Sequence, residues 1–364
     1  MTVCASGRNA AWVVRLLTAF FGMAWIGPQR ASASGAVTAL AFSPDGSRLA
    51  IGTYRSVTIL DTSSWKPVSQ FRALEDEARA LAWHPDGHVL AIGTGLPARR
   101  GRVIFWDTST AGPPKSGPPQ QDCVEAVAFT PDGKGCAIGA DDNKVCYFQD
   151  WAGGRTVELD EHNDRVDAVA FSPKPNTIFL TGAMDKVVKV WDQSSARTVM
   201  NFDQSPAGIT GLAFLPSGEQ FVGSALDGWL RWWSVSYNAK KHMWTGYLYR
   251  GFEAHNGAIL ALGISRNGAR LITGGMDAVV AVWDAGSGGK VREFKEAQHP
   301  IYAVALSPDG KIAAAGGRDG VVWIWDVDGN RLVETLAITK DSADELPSSP
   351  AKSPGPARRA ERVR

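Results

Sequence analysis

The chain has 364 residues, 44% hydrophobic and 21% charged, a balance that excludes a disordered polymer and calls for a folded body. Its formal charge of +1 offers no general attraction for nucleic acid or an anionic membrane, so neither is expected as a partner of the folded part. One ordinary core does not reach this length, whereas repeat architectures and large β folds do.

Residues 1–33 differ in character from the rest of the chain. Arg8 and Arg15 precede the apolar run 16–27, Pro28 breaks any helix, and Ala31-Ser32-Ala33 supplies small residues where a leader is cleaved. Positive flank, short apolar core and A-x-A are the parts of a secretory signal peptide. The core is short for a membrane span, which needs roughly 20 residues. Cleavage would make the protein periplasmic or extracellular. Retention would leave it membrane-anchored or cytoplasmic, and only then is membrane contact expected.

From residue 34 to 338 one pattern recurs. AFSPDG (41–46) has near-copies AWHPDG (82–87), AFTPDG (128–133), AFSPKP (170–175), AFLPSG (213–218), GISRNG (263–268) and ALSPDG (305–310). The spacing of 41 to 50 residues is an internal period, and it outranks every other fold signal. Within each unit VTALAFS-like residues (37–43) are apolar on both faces, as in a strand buried on both sides. A PDG turn follows, then a small-residue strand such as FLTGA (179–183), a tight turn at Asp185, a β-branched strand such as VVKVWD (187–192) and a more polar strand such as RTVMNF (197–202). Four short strands per unit make one blade of a β-propeller, and seven such blades bury their faces on one another. The expected fold is all-β: a seven-bladed propeller of four-stranded antiparallel blades.

Cysteines at Cys4, Cys123, Cys136 and Cys146 lack zinc-ligand and CxxC spacing; the last three read as small buried hydrophobes, with a Cys136–Cys146 bridge open in an oxidising compartment. Gly93-Thr94-Gly95-Leu96-Pro97-Ala98 matches a loose dinucleotide motif, but Pro97 and the arginines after it mark a loop rather than a helix start. Asp326-Val327-Asp328-Gly329-Asn330 reads as a turn between strands. Nothing calls for a cofactor or a metal. After Ile338 the composition turns to Pro, Ser and charge, and 339–364 reads as a disordered tail.

The strand endings Trp106-Asp107, Trp191-Asp192, Trp283-Asp284 and Trp325-Asp326 resemble the WD dipeptide of the WD40 repeat family. The resemblance covers 34–338 and implies a hydrogen-bonded series in each blade, running through a His, a Ser or Thr, an Asp and the Trp. Blade 4 has His162, Thr181, Asp185 and Trp191; blade 6 has His255, Thr273, Asp277 and Trp283. Blade 7 keeps His299, Asp319 and Trp325 but has Ala315 for the hydroxyl. Blade 5 keeps Asp227 and Trp233, and blades 1 to 3 lack most of the set, with Leu60 and Phe148 at the Trp position in blades 1 and 3. WD40 rings usually borrow a last strand from the N-terminus; here RLVETLA (331–337) is expected to complete blade 7, leaving closure to packing of blade 7 on blade 1.

The second residue of each innermost strand varies (Thr38, Arg79, Glu125, Asp167, Thr210, Leu260, Tyr302), while the third is always Ala or Gly. In WD40 proteins the variable position lies at the channel rim, on the face most used for partners. Together with the second-turn loops it groups Arg55, Arg79, Arg99, Arg100 and Arg102 as a basic arc. Asp122, Glu125, Asp141, Asp164 and Asp167 form an acidic arc, and Leu226, Leu260, Met276 and Tyr302 an apolar one. Arg55, Arg79, Arg99, Arg100, Glu125, Asp167, Leu260 and Tyr302 are the expected contacts for a protein or peptide held by a non-enzymatic scaffold. Two rivals are a propeller enzyme of lactonase or hydrolase type, for which Glu125 and Asp167 on neighbouring blades are the best support, and a subunit of a membrane-linked assembly. The insertion at 236–255, with Met243, Trp244, Tyr247 and Tyr249, is a second candidate surface, some of whose aromatics are expected to pack on the outer strand.

Overall fold

A computed structural model describes residues 35–110, 112–174 and 177–338. The expected leader and tail lie outside the described residues, as does Cys4. Seven four-stranded antiparallel sheets follow one another along the chain, each with its strands in sequence order. Blade 1 has strands Ala39–Phe42, Arg48–Thr53, Ser56–Asp61 and Pro67–Phe71; blade 7 has Ile301–Leu306, Ile312–Gly317, Val321–Asp326 and Arg331–Ala337. The last strand of blade 7 thus comes from the C-terminal side, in agreement with the spacing of RLVETLA. The ring closes through side chains: Val37, Leu40, Leu49 and Ile51 of blade 1 share one core with Ala303, Ala305, Ala314, Val322 and Ile324 of blade 7. A backbone bond from the Val37 N–H to the Gly317 carbonyl (3.0 Å) adds to the seam.

The repeated turn has two roles. Its Pro and Asp shape the reversal, and the Asp side chain accepts bonds from the residues around it, as Asp45 does from the Ser43 and Ser47 hydroxyls (2.6 and 2.7 Å). The Ser43 hydroxyl, ahead of the opposing effect of burial, holds the Asp45 carboxyl down at about 2. The Gly takes φ +69 at Gly268, and a Cβ there would stand 2.1 Å from Pro216 of the preceding blade. Each turn nests against the one before it, which is why a ring repeats the motif so closely.

A second small residue sets the distance between blades. Gly182, Gly274 and Gly316 lie at equivalent places in the second strand, and a Cβ on each would meet Ile209, Ile301 or Val37 of the next blade at 2.5 Å or less. Blade 5 reverses the arrangement, with Ser224 opposite Gly211. The Ala or Gly that pairs with this site from the first strand completes a narrow seam into which each β-branched knob fits.

Cys123, Cys136 and Cys146 are buried free thiols. Cys136 pairs across the ladder with Phe148, and Cys146 with Ile138, so the two sit out of register for a bridge. Burial pushes the Cys146 thiol up to about 12, with Glu158 adding to the effect. Native protein treated with a thiol reagent at pH 8 should therefore label none of these three, and all three after unfolding; rapid native labelling of more than one thiol per chain would contradict the packing.

Candidate functional site

The blade series forms where all four members exist. In blade 4 the Trp191 indole donates to Thr181 Oγ1 (2.8 Å), which lies 2.7 Å from His162 Nε2, and His162 Nδ1 lies 2.8 Å from Asp185 Oδ2. Blade 6 repeats this through Trp283, Thr273, His255 and Asp277 at 2.9, 2.7 and 3.0 Å. An ionised carboxylate can only accept, so with a neutral imidazole the series runs one way: His Nδ1–H donates to Asp, Thr donates to His Nε2, and Trp donates to Thr. Burial alone would raise the Asp185 carboxyl, but the bonds from His162 and the Asn163 N–H outweigh it and hold it below its ordinary value. Each series ties the loop entering a blade to its second turn and third strand, which fixes the geometry of that end of the ring.

Blade 7 differs from expectation. With Ala315 in place of the hydroxyl, His299 and Asp319 are exposed, Asp319 caps the Val321 N–H, and among the described residues the buried Trp325 indole N–H has no partner. Blade 5 has a substitute that no motif announces, since Trp233 donates to Gln204 Oε1 (3.2 Å) and Asp227 pairs with Arg231. The Asp of the WD pair acts separately, closing the outer turn; the Ser287 hydroxyl, then the Ser287 N–H, holds the Asp284 carboxyl below its ordinary value in this way.

At the end of the ring carrying the second turns, the expected arcs are partly neutralised from within. Arg79 is buried and its guanidinium is shared between Glu125 of the next blade and Glu77 (3.3 Å). Arg165 pairs with Asp167 at 3.2 Å. Arg100 makes a two-pronged bond to Asp76 (3.1 and 3.3 Å) and reaches Glu75 at 3.4 Å. Neither Glu75 nor Asp76 stands out in the sequence, since the pairing depends on which loops the ring brings side by side. Tyr302 is also buried, and Leu260, Glu125 and Asp167 are half-buried. These five line or brace the channel mouth rather than stand out from it, which corrects the reading of Arg79 and Tyr302 as rim contacts. Arg55 and Arg99 are exposed, as is Met276 at 42%. Three more large apolar side chains open at the same end: Tyr54 (43%), Leu96 (36%) and Trp229 (38%), the last with Arg231 over its ring.

Asp141 sits among these charges. Burial first, then Glu125 and Asp167, push its carboxyl up to about 8 against the pull of Arg165 and Arg79. Asp122, Cys123 and Asp141 lie within 4.8 Å of one another, the one such group of ligand atoms among the described residues. Burial keeps the Cys123 thiol protonated, well above its usual range. An acid whose folded pKa is raised binds its proton more tightly folded than unfolded, so it erodes stability as pH rises from about 4 towards 8. Asp141→Asn should therefore leave Tm unchanged at pH 4 and raise it at pH 8; an equal effect at both would contradict a buried, protonated Asp141.

Comparison with known proteins now decides the family. The model described as "WD domain, G-beta repeat" matches residues 28–61, 153–192, 197–234, 246–284 and 288–326, just over half of the chain. The chain belongs to the WD40 repeat family. Four of the matches begin on or just before the outer strand of one blade and end on the third strand of the next, so this WD40 sequence unit is offset from the structural blade by one strand. Blade 2 and most of blade 3 lie outside the matches, where the WD40 series is missing. The chain is 33% identical over 101 residues to an uncharacterized WD repeat-containing protein of Synechocystis, covering 28% of each. It is 28% identical over 204 residues to actin-interacting protein 1 of Drosophila melanogaster (53% of this chain, 32% of the relative). It is 26% identical over 182 residues to autophagy-related protein 16 of Arabidopsis thaliana (50% and 34%). The chain therefore spans about a third or less of the length of these relatives. As a WD40 propeller with such relatives, it fits a protein-interaction scaffold.

Proposed function

We propose that this propeller is a non-enzymatic scaffold that holds a protein or peptide on the end carrying the second turns. One observation carries this reading. Four of the large exposed apolar side chains, Tyr54, Leu96, Trp229 and Met276, open at that end from four different blades, and the exposed cations Arg55 and Arg99 stand in the same turns as the first two. Apolar anchors among rim charges are the chemistry of a binding surface, whereas a solvated loop would have no need of them. The partner is accordingly one with apolar side chains at its centre and acidic groups towards blades 1 and 2. Export, which rests on residues 1–33 alone, belongs to the same proposal and predicts a mature chain beginning at Ser34.

The test replaces Tyr54, Leu96, Trp229 and Met276 with Ser in one variant. These residues support no core, so the variant should keep its Tm within a few degrees and lose its co-purifying partner. A variant that keeps every interaction of the wild type would refute the assignment of the surface.

A further inference from the structure

The stretch between blades 5 and 6 is not a loop. It lengthens the third and fourth strands of blade 5 to Trp229–Asn238 and Met243–Glu253, the longest pair in the ring. In blades 1, 4, 6 and 7 the outer strand bulges opposite the third strand, at the Trp or its equivalent Leu60, and runs on for no more than two pairs, such as Trp191↔Thr198 and Asp192↔Arg197. In blade 5 six unbroken pairs follow the bulge, from Trp233↔Leu248 to Asn238↔Met243. A two-stranded arm thus extends from the end of the ring opposite the proposed partner surface.

One face of the arm is seated. Trp244 and Leu248 pack on the core shared by blades 4 and 5, and a Cβ on Gly246 would stand 2.6 Å from the Phe202 ring. The other face is open, with Met243 49% and Tyr247 66% exposed. Its outer edge, MWTGYL (243–248), carries neither charge nor Pro nor bulge, the charged Arg250 and Glu253 of the same strand lying beyond it, whereas each of the other six outer strands is at most seven residues long and contains a Pro or a charged residue. Exposed edges are ordinarily guarded by such features because unpaired N–H and C=O groups recruit another strand. Charge narrows the choice of strand. No acidic residue occurs between Asp227 and Glu253, and the tip exposes Lys240, Lys241 and His242.

We propose that this arm binds by strand addition, pairing its Met243–Leu248 edge with an extended, apolar segment of a partner protein flanked by Asp or Glu. The ladder supplies affinity, Met243 and Tyr247 meet alternate side chains, and Lys240 and Lys241 select the acidic flank. A second copy of the chain would bring like-charged tips and Arg250 side chains together. A lipid surface would strip water from the edge without replacing its hydrogen bonds.

The test is hydrogen exchange on the full-length protein with two synthetic peptides that differ only in their flanks, DDVTIYVDD and KKVTIYVKK. The acidic peptide should slow exchange across 243–248 and bind about ten-fold more tightly than the basic one, as two to three charge pairs allow. Lys240→Glu with Lys241→Glu, both fully on the surface, should invert the preference, and Tyr247→Pro should abolish binding of both peptides. The proposal is overturned if neither peptide or both equally protect the arm. It is also overturned if protection rises with protein concentration alone, or arises with phosphatidylglycerol vesicles and not with peptide.

Discussion

Thr273→Val should lower the unfolding free energy by about 2–4 kcal/mol, since it leaves two buried groups without partners. Valine matches threonine in shape, so the change tests hydrogen bonding rather than volume. Thr273 Oγ1 accepts from Trp283 and faces His255 Nε2, and all three side chains are buried. Blade 7 supplies the reciprocal experiment, because Ala315 already leaves the Trp325 indole without an acceptor among the described residues. Ala315→Ser should stabilise by about 0.5–1.5 kcal/mol if the hydroxyl takes up that N–H. Urea titrations of both variants check the pair. A neutral Thr273→Val would mean that the series contributes nothing to stability.

Gly316→Val should destabilise at least as much, about 3 kcal/mol or more, through steric conflict at the closing seam. A Cβ at Gly316 would lie 2.5 Å from Val37 Cγ1 and 2.7 Å from its Cβ, and among the described residues no strand is shared between blade 7 and blade 1 to hold them together. Hydrogen exchange should therefore quicken first in 36–61 and 301–326. Gly153→Val, where a Cβ meets nothing within 4 Å, should change stability by less than about 0.5 kcal/mol. Similar losses in both variants would contradict closure by this packing.

Much of the fold is legible in the sequence because its determinants are local and repeated. A PDG turn, a Gly in the second strand and a Trp at the end of the third each announce themselves within a few residues, and RLVETLA has the spacing of an outer strand. The features that escape such reading depend on which side chains meet between blades. Arg79 and Glu125 are 46 residues apart, and only the ring makes them partners, so two apparent arcs of opposite sign prove to be cross-linked. Gln204 reaches Trp233 because blade 5 has Gly223 where a hydroxyl would stand, a substitution without a motif. The arm reads as an insertion because Lys240-Lys241-His242 looks like a loop, although the residues on either side can pair six deep.

The most direct test of the scaffold reading is crosslinking of the full-length protein in its own host, followed by mass spectrometry of both partners' linked sites. Scaffolding on the second-turn end predicts one stoichiometric partner whose links fall near Tyr54, Arg99, Trp229 and Met276 and vanish in the four-serine variant. Links scattered over the whole ring, or unchanged in that variant, would contradict it and turn attention to the channel mouth around Asp141.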